Sequence, residues 1–457
     1  AGSSNFGSAI TVNSDNNGLG VLALAYAGAV PSGTTFSSTG TFGGVLGIDA
    51  FGYGTALNLT TLGSNVFLGS TQGGNYTAAT LGIGTGSTYR LGGGGGTLSV
   101  NAPVLSSGTL VIGAVVGTAA GALVNMNAGM VTAPRALSNP IAFTAAGLGS
   151  FAGDAFFGGA TDLNLSGGVS LGSAGSRVLS VGSTTRVVTL SGVVSGAAGL
   201  TLAGGGYLRL TNTANSYTGD TTLFSGTMLP VGAGALPTAS KLVFAGGALG
   251  YWDASGSLAN PITLLAATST VDVGQGQSLT LSGTISGSAV NVAPVSGLTK
   301  AGLGALFLTG NNTYLGTTTI TAGVLAISND AQLGGPGVNF NTTPGQISLN
   351  GGQLFVTDNI TTNRVLNAAA NSSVYVAAGK TLTFNAATTG GSTITFAGPG
   401  VTNLIGGLAG GGAANTAVSL GATLLTQAVS GTPFGGTVTV NGGTLRINTN
   451  GPGAALT

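Results

Sequence analysis

The sequence predicts an all-β protein, and specifically a β-solenoid, in which the chain winds into stacked turns of short strands. Three observations carry this prediction. Of 457 residues, 87 are glycine and 43% are hydrophobic, but only 4% are charged. Short runs with strict side-chain alternation, such as Thr317–Ile320, lie between glycine-rich corners. Longer segments recur in the same order along the chain, which is typical of repeat architectures.

The composition disfavours helix and disorder. All nine acidic residues are aspartate, and glutamate, a good helix former, is absent. A disordered chain is normally poor in apolar residues and rich in charge, which is the reverse of this composition. The ten basic residues are scattered singly, so no basic patch for nucleic acid is present. Cysteine is absent, which excludes disulfides and thiolate metal sites.

The clearest repeat reads GLTKAGLGALFLTGNNTYLGTTTITAGVLAI at 297–327. Its relative at 199–229 reads GLTLAGGGYLRLTNTANSYTGDTTLFSGTML, and related lead-ins precede both copies at 187–196 and 278–287. The period is roughly 100–120 residues, so each period must hold several strands. We interpret Tyr217 and Tyr314, which are equivalent in the two copies, as residues that pack at corners.

A stack of such turns predicts one elongated rod with a continuous apolar ladder inside. Neighbouring turns pair through the backbone at about 4.8 Å, so about 20 turns would give a rod on the order of 100 Å long. We divide this continuous domain into a cap or junction region and four solenoid units, the last with an open end: 1–60, 61–135, 136–259, 260–362 and 363–457.

One uncharged segment, 111–131, is long enough to be considered as a membrane span. Asn125 and Asn127 alternate with apolar residues with a period of two, however, which favours strands. We therefore predict two strands and no membrane span.

The repeat at 297–327 resembles the autotransporter-associated β-strand repeat, which occurs in passenger regions of autotransporters and in bacterial surface proteins. The resemblance is strongest over 187–330 and weakest over 1–60. It implies a right-handed parallel β-helix located outside the cell or at its surface, and it brings no catalytic residues. The chain starts at Ala1 without a basic and apolar leader, so we expect a mature form whose signal peptide has been removed.

The sequence contains little that could perform catalysis. Histidine, the commonest general base, is absent, and no aspartate lies within three positions of another. The glycine-rich segments at 91–100, 147–152 and 379–381 match no cofactor motif fully, and we interpret their glycines as structural. We expect no enzyme, no cofactor and no metal. A polysaccharide-cleaving β-helix enzyme, with distant aspartates stacked in one groove, is the less favoured alternative.

Two features suggest surface chemistry. Tyr251, Trp252 and Asp253 form the one aromatic and polar cluster, a candidate ligand patch for a sugar, although a corner or a contact with another chain is favoured. Thr-x-Thr runs, as at 317–321, raise the idea of a flat ice-binding array. Such an array would require a constant turn length, and the spacings vary.

The favoured function is structural. The ends of a solenoid carry unpaired backbone groups, so we predict a secreted subunit that stacks head to tail with itself into an extracellular fibre or matrix. The alternative is an autotransporter-type passenger that acts as a surface adhesin, with cell-surface or matrix polysaccharide as a candidate partner. The residues expected at the fibre junctions are Ile10, Val12, Val438, Val440, Leu445 and Ile447.

Overall fold

The structure, a computed structural model, forms two compact units, Ala1–Ser240 and Lys241–Thr457. The boundary between them lies inside the sequence segment 136–259 that was predicted to form one solenoid unit. The described residues are 9–14, 20–39, 43–100, 105–106, 108–112, 123–126, 135–143, 155–157, 161–287, 295–335, 346–386, 388–407, 416–419, 421–427 and 437–448.

The described part of the first unit consists of short strands, most of two to four residues. Their bounds are β1 (Thr11–Ser14), β2 (Val21–Leu24), β3 (Thr35–Ser38), β4 (Val45–Ile48), β5 (Leu57–Asn58), β6 (Phe67–Gly69), β7 (Gly74–Tyr76), β8 (Leu81–Gly82), β9 (Thr88–Leu91), β10 (Thr97–Val100), β11 (Thr109–Ile112), β12 (Leu123–Met126), β13 (Arg135–Leu137), β14 (Ile141–Phe143), β15 (Ala155–Phe157), β16 (Leu163–Leu165), β17 (Val169–Ser170), β18 (Ser176–Val181), β19 (Val187–Leu190), β20 (Val194–Ser195), β21 (Gly199–Gly204), β22 (Tyr207–Leu210), β23 (Thr221–Leu223) and β24 (Thr227–Pro230).

Strands of the first unit pair with strands one turn away along the chain. The three main neighbour orders are β2-β4-β6-β9-β11-β14-β17-β20, β7-β10-β12-β15-β18-β21-β23 and β13-β16-β19-β22-β24. The pairings are parallel, for example between β18 and β21 and between β19 and β22. Each turn therefore contributes one strand to each sheet, which is the arrangement of a parallel β-solenoid.

The second unit has the same organisation. Its strands are β25 (Leu242–Phe244), β26 (Ala248–Tyr251), β27 (Gly256–Leu258), β28 (Ile262–Leu264), β29 (Thr268–Val273), β30 (Ser278–Leu281), β31 (Ile285–Gly287), β32 (Gly297–Ala301), β33 (Ala305–Leu308), β34 (Thr318–Ile320), β35 (Val324–Ile327), β36 (Ile347–Asn350), β37 (Gln353–Val356), β38 (Ile360–Thr362), β39 (Leu366–Ala370), β40 (Ser372–Val376), β41 (Thr381–Phe384), β42 (Thr389–Gly390), β43 (Ile394–Ala397), β44 (Val401–Leu404), β45 (Thr416–Ser419), β46 (Thr423–Gln427), β47 (Val438–Asn441) and β48 (Thr444–Asn448).

Parallel pairing also defines the sheets of the second unit. A nine-stranded sheet has the order β27-β30-β33-β35-β37-β40-β43-β45-β47, and a five-stranded sheet has the order β38-β41-β44-β46-β48. The order β26-β29-β32-β34-β36-β39-β42 makes a further face, and β25-β28-β31 makes another. The predicted parallel β-solenoid is confirmed.

Helix is almost absent from the described residues, which contain only two short 3-10 turns, Leu59–Thr61 and Asp330–Leu333. No helix in this part of the chain is long and apolar enough to cross a membrane. Within the segment 111–131, β11 ends at Ile112 and Leu123–Met126 forms β12, as predicted, whereas the intervening residues 113–122 lie outside the described ranges.

The core is a ladder of apolar side chains that repeats at each turn. In the nine-stranded sheet the inward positions of successive strands stand in register, and each side chain is fully buried: Leu279, Leu306, Leu325, Leu354, Val374, Phe396 and Val418. Full burial of one such side chain contributes about 1.5–3 kcal/mol. The ladder therefore stabilises the stacking of the turns in a chain that contains no cysteine.

Register along the sheets is kept although the turns differ in length. On the face that contains β29 to β42, one outward column holds Thr270, Thr299, Thr319, Ser348, Asn367 and Thr389. Successive members are separated by 29, 20, 29, 19 and 22 residues. The corners absorb the difference, so the column stays aligned although the turn lengths are unequal. The column mixes threonine with serine and asparagine.

Glycines of the repeat permit these corners. Gly204 and Gly302, which are equivalent in the two copies, have φ angles of +84° and +72°. A Cβ atom at either position would lie 2.2 Å from a carbonyl oxygen of the neighbouring turn. Only glycine satisfies both the positive φ and the close approach of the two backbones.

Candidate functional site

The two long repeats fold as equivalent modules. In the first, β21 pairs with β23 and β22 with β24, and in the second, β32 pairs with β34 and β33 with β35. Each repeat therefore contributes two paired strands to one face of the solenoid and two paired strands to another. The residues between the two pairs form a corner that contains the shared Asn-x-Tyr sequence.

A buried asparagine at this corner joins three successive turns. Asn312 accepts a hydrogen bond from the Ile285 amide at 2.8 Å and donates one from Nδ2 to the Gln332 carbonyl at 2.6 Å. Asn215 makes the same two contacts in the first unit, with Val194 and Ala235. Because both partners are buried backbone groups, the asparagine has a structural role.

The equivalent tyrosines are also structural. Tyr217 and Tyr314 are almost fully buried, and their hydroxyls lie 2.8 and 2.7 Å from the Oγ1 atoms of Thr221 and Thr318. Burial raises the pKa of both tyrosines to about 12. The interpretation of these residues as corner-packing residues agrees with their positions.

Lys300 is a charged residue on the inner side of the solenoid. Its side chain is fully buried, and Nζ donates to the carbonyls of Ala301, Gly302 and Ala322 at 2.6, 2.8 and 3.3 Å. Burial lowers the pKa of Lys300 to about 8, although Asp272 nearby opposes this shift. The three carbonyls accept hydrogen bonds from the ammonium group, so this lysine contributes to the corner.

Two buried arginines differ in how they are compensated. Arg364 pairs with Asp330 at 2.9 Å and donates to the Gly334 carbonyl at 2.8 Å. Arg186 is fully buried, and none of its guanidinium nitrogens hydrogen-bonds to a described residue. Burial lowers the pKa of Arg186, although Asp162 opposes the shift. Neither arginine lies in a carboxylate cluster that could perform catalysis.

No group of three or more potential metal-ligating side chains occurs among the residues that the structure describes. Asp49, Asp272, Asp330 and Asp358 each contact local partners, namely the Ser70 hydroxyl, the Trp252 indole, Arg364 and Lys380. These contacts are those of corner and surface residues.

The predicted ligand patch is split between the core and the surface. Tyr251 is fully buried, and a Cβ at Gly256 would lie 2.3 Å from its hydroxyl, so Tyr251 cannot contact a ligand at the surface. The alternation of β26 directs this side chain inward, which is why the three residues do not form one patch. Trp252 is 37% exposed and donates from Nε1 to Asp272 Oδ1 at 3.0 Å, and Asp253 is exposed.

The residues predicted for fibre junctions lie in both units. In the first unit, Ile10 is half-buried and Val12 is buried. In the second unit, Val440 and Ile447 are 44% and 42% exposed on β47 and β48, and Val438 and Leu445 are half-buried. These four lie on the last described strands, which pair on one side with β45 and β46.

Sequence reasoning missed one surface feature, an outward aromatic strip on the nine-stranded sheet. We define the strip as Phe307, Phe355 and Tyr375, which stand in one column on β33, β37 and β40 with Ala326 between the first two. Each aromatic residue is half-buried, and the rings of Phe355 and Tyr375 pack edge to face with centroids 5.4 Å apart. The segments ALFL, QLFV and SVYV contained the signal, because each has an aromatic residue between two inward aliphatic residues.

The chain matches known proteins over part of its length. A family model described as Passenger-associated-transport-repeat matches residues 200–228 and 298–327. The chain is also 34% identical over 159 residues to the Adhesin BmaC autotransporter of Brucella suis biovar 1 (strain 1330). That alignment covers 32% of this chain and only 4% of the adhesin. No solved structure matches the chain.

The fold is a parallel β-solenoid, and two of its segments match a passenger-associated repeat. Both matched segments coincide with the two structural modules of the chain, β21 to β24 and β32 to β35. The resemblance to autotransporter passenger repeats, predicted from the sequence, is confirmed.

Proposed function

We propose that the protein is a bacterial surface adhesin of the autotransporter passenger type, which acts by binding and not by catalysis. The observation that carries the proposal is the coincidence of two passenger repeats with the structural modules of the solenoid, together with the similarity to an adhesin. A passenger of this type is exported, so we place the protein outside the cell or at its surface. The removal of a signal peptide belongs to the same proposal.

The chemistry of the chain supports a binding role. Histidine, cysteine and glutamate are absent from the sequence, and the buried Lys300 and Arg364 are held by backbone carbonyls or by a carboxylate. The outward positions of the described strands include many threonine, serine and asparagine residues and a few aromatic residues, beside single charged residues such as Arg209 and Asp272. Such a surface offers hydrogen bonds and stacking, which suits a polysaccharide at a cell surface or in a matrix.

The fibre function predicted from the sequence has weaker support than the adhesin function. The exposed Val440 and Ile447 are compatible with a stacking contact, but the similarity to an adhesin favours the alternative. Head-to-tail assembly stays a prediction. Sedimentation velocity of the purified chain over a hundredfold concentration range tests it, since end-to-end stacking makes the sedimentation coefficient rise with concentration.

The adhesin proposal is tested with the purified, fluorescently labelled chain on cultured epithelial cells and on a surface coated with polysaccharide from their extracellular matrix. We expect saturable binding to at least one of them, which the unlabelled chain displaces. A labelled β-solenoid without passenger repeats is the control. Absence of saturable binding would contradict the proposal, and release of sugar fragments from the polysaccharide would favour an enzyme instead.

A further inference from the structure

We infer that the aromatic strip Phe307, Phe355 and Tyr375 is a binding site for a linear, uncharged polysaccharide. The inference rests on the proposed adhesin function and assigns that function to one face of the second unit. The nine-stranded sheet has one unusual outward column. The outward positions of most of its strands hold small or polar residues, whereas this column places three large aromatic rings on the solvent side.

The strip is pre-formed by its neighbours. Ala326 lies in the column between Phe307 and Phe355 and is only 2% exposed, although it points outward. Alanine is therefore a small residue between two large ones in the same column. On the other side, the Tyr375 ring lies over Gly398, where a Cβ would come within 2.9 Å of the ring. The Phe355 and Tyr375 rings, which pack on each other and on Gly398, therefore have less freedom to lose on binding, which favours affinity.

The spacing of the strip suits a polymer with a regular repeat. Successive strands of a sheet are about 4.8 Å apart, so Phe307 and Phe355 stand about 10 Å apart along the solenoid. Tyr375 follows one turn later, with its ring 5.4 Å from that of Phe355. A linear chain of sugar rings laid along the column would place the apolar C–H faces of several rings on aromatic side chains in turn.

Polar groups beside the strip match the edges of a sugar ring. The neighbouring outward column contains Gln353, Ser373 and Thr395, and Gln353 donates from Nε2 to Ser373 Oγ at 3.0 Å. The amide oxygen of Gln353 and the hydroxyls are suitable partners for sugar hydroxyls. An apolar platform with a few fixed polar groups is the usual composition of a ligand site.

Charge and size argue against other occupants. None of the outward residues on the described strands of the nine-stranded sheet is charged, so the face offers nothing to select an acidic or a basic ligand. The exposed area of these three half-buried aromatic residues is on the order of 100 Å². A stable protein partner needs about 800 Å² on each side, so neither a folded protein nor a second copy of this chain is favoured.

The test uses affinity electrophoresis of the full chain in gels that contain hydroxyethyl cellulose, dextran or alginate. These probes represent a linear neutral, a largely α-linked neutral and an acidic polymer. We expect retardation by hydroxyethyl cellulose and not by alginate. The double variant Phe355→Thr/Tyr375→Thr should bind at least about tenfold more weakly, because it removes the paired rings at the centre of the site. Threonine suits an outward strand position.

Two matched controls identify the site. Tyr207→Thr removes a half-buried aromatic residue from β22 of the first unit, and Trp252→Phe removes the indole of the earlier candidate patch. Both should stay within twofold of the unmodified chain. Far-UV circular dichroism checks folding, and Phe355→Leu/Tyr375→Leu keeps apolar packing if the threonine variant does not fold.

Four results would each overturn the inference. They are no retardation by hydroxyethyl cellulose, binding by both strip variants that equals that of the unmodified chain, stronger retardation by alginate than by hydroxyethyl cellulose, and loss of binding in Trp252→Phe. The cell-binding assay separates this inference from the proposed function. If the strip variants bind cells normally but the unmodified chain ignores the polysaccharides, the strip inference fails and the adhesin proposal stands. If the chain binds hydroxyethyl cellulose through the strip but no cell or matrix, the adhesin proposal fails.

Discussion

The buried amine of Lys300 makes the stability of the second unit depend on pH, and the variant Lys300→Met isolates its contribution. Nζ contacts three backbone carbonyls and is fully buried, and its pKa falls from 10.5 to about 8. Methionine fills a similar volume without a titrating group. The first repeat already has an apolar residue, Leu202, at the equivalent position.

The direction in which the free energy of unfolding changes with pH follows from proton binding. Below pH 8 the lysine is protonated in both the folded and the unfolded chain, so the penalty for burying its charge is present in full. Between pH 8 and 10.5 the unfolded chain binds a proton that the folded chain has lost, and the free energy of unfolding therefore rises with pH. The interval between the two pKa values corresponds to at most about 3.5 kcal/mol.

Buried tyrosines act in the opposite direction at higher pH. The pKa values of Tyr53, Tyr217 and Tyr314 are raised to about 12. Between pH 10 and 12 the folded chain keeps phenol protons that the unfolded chain loses, so the free energy of unfolding falls. These residues are present in both proteins, and their effect cancels when Lys300→Met is compared with the unmodified chain.

The assay is equilibrium urea unfolding at pH 7, 8, 9 and 9.5, followed by far-UV circular dichroism and by the fluorescence of Trp252, the one tryptophan of the chain. We expect the free energy of unfolding of the unmodified chain to rise by about 2 kcal/mol relative to Lys300→Met between pH 7 and 9.5. A difference between the two proteins that stays constant over this range would refute the reasoning.

Two further predictions concern single corner residues. Asn312→Ala should destabilise the second unit by about 2–4 kcal/mol, because it leaves the buried Ile285 amide and Gln332 carbonyl without this partner. Urea unfolding measures the change in the free energy of unfolding, and a loss below about 0.5 kcal/mol would contradict the prediction. Arg186→Met should stabilise the first unit by about 1–4 kcal/mol, since it replaces a buried cation that lacks hydrogen-bond partners among the described residues. Thermal unfolding checks the second prediction, and a lower midpoint for Arg186→Met would show that the guanidinium has a stabilising partner.

The sequence was sufficient to predict the class of fold and its corner residues. Inward and outward positions alternate within each strand, so the apolar ladder around Leu306 follows from local sequence. The shared Asn-x-Tyr corner, with Tyr217 and Tyr314, could be identified because the two long repeats keep it. The inward position of Lys300 was also predictable in principle, since the same alternation places Leu202 inside.

The surface could not be predicted in the same way. Phe307, Phe355 and Tyr375 are separated by 48 and 20 residues, and their alignment depends on corners of unequal length. Only the pairing of the strands shows that they share a column. Tyr251 illustrates the opposite case, because residues adjacent in sequence were assumed to share a surface although a strand directs them to opposite sides.

The proposed adhesin function requires that this solenoid attach to an external surface. The most direct measurement displays the chain on a bacterium that does not adhere and counts the cells retained on epithelial monolayers under flow. We predict retention well above that of the same bacterium displaying a β-solenoid without passenger repeats, and competition by the soluble chain. Retention equal to the control, with the displayed chain shown to be folded and exposed, would contradict the account.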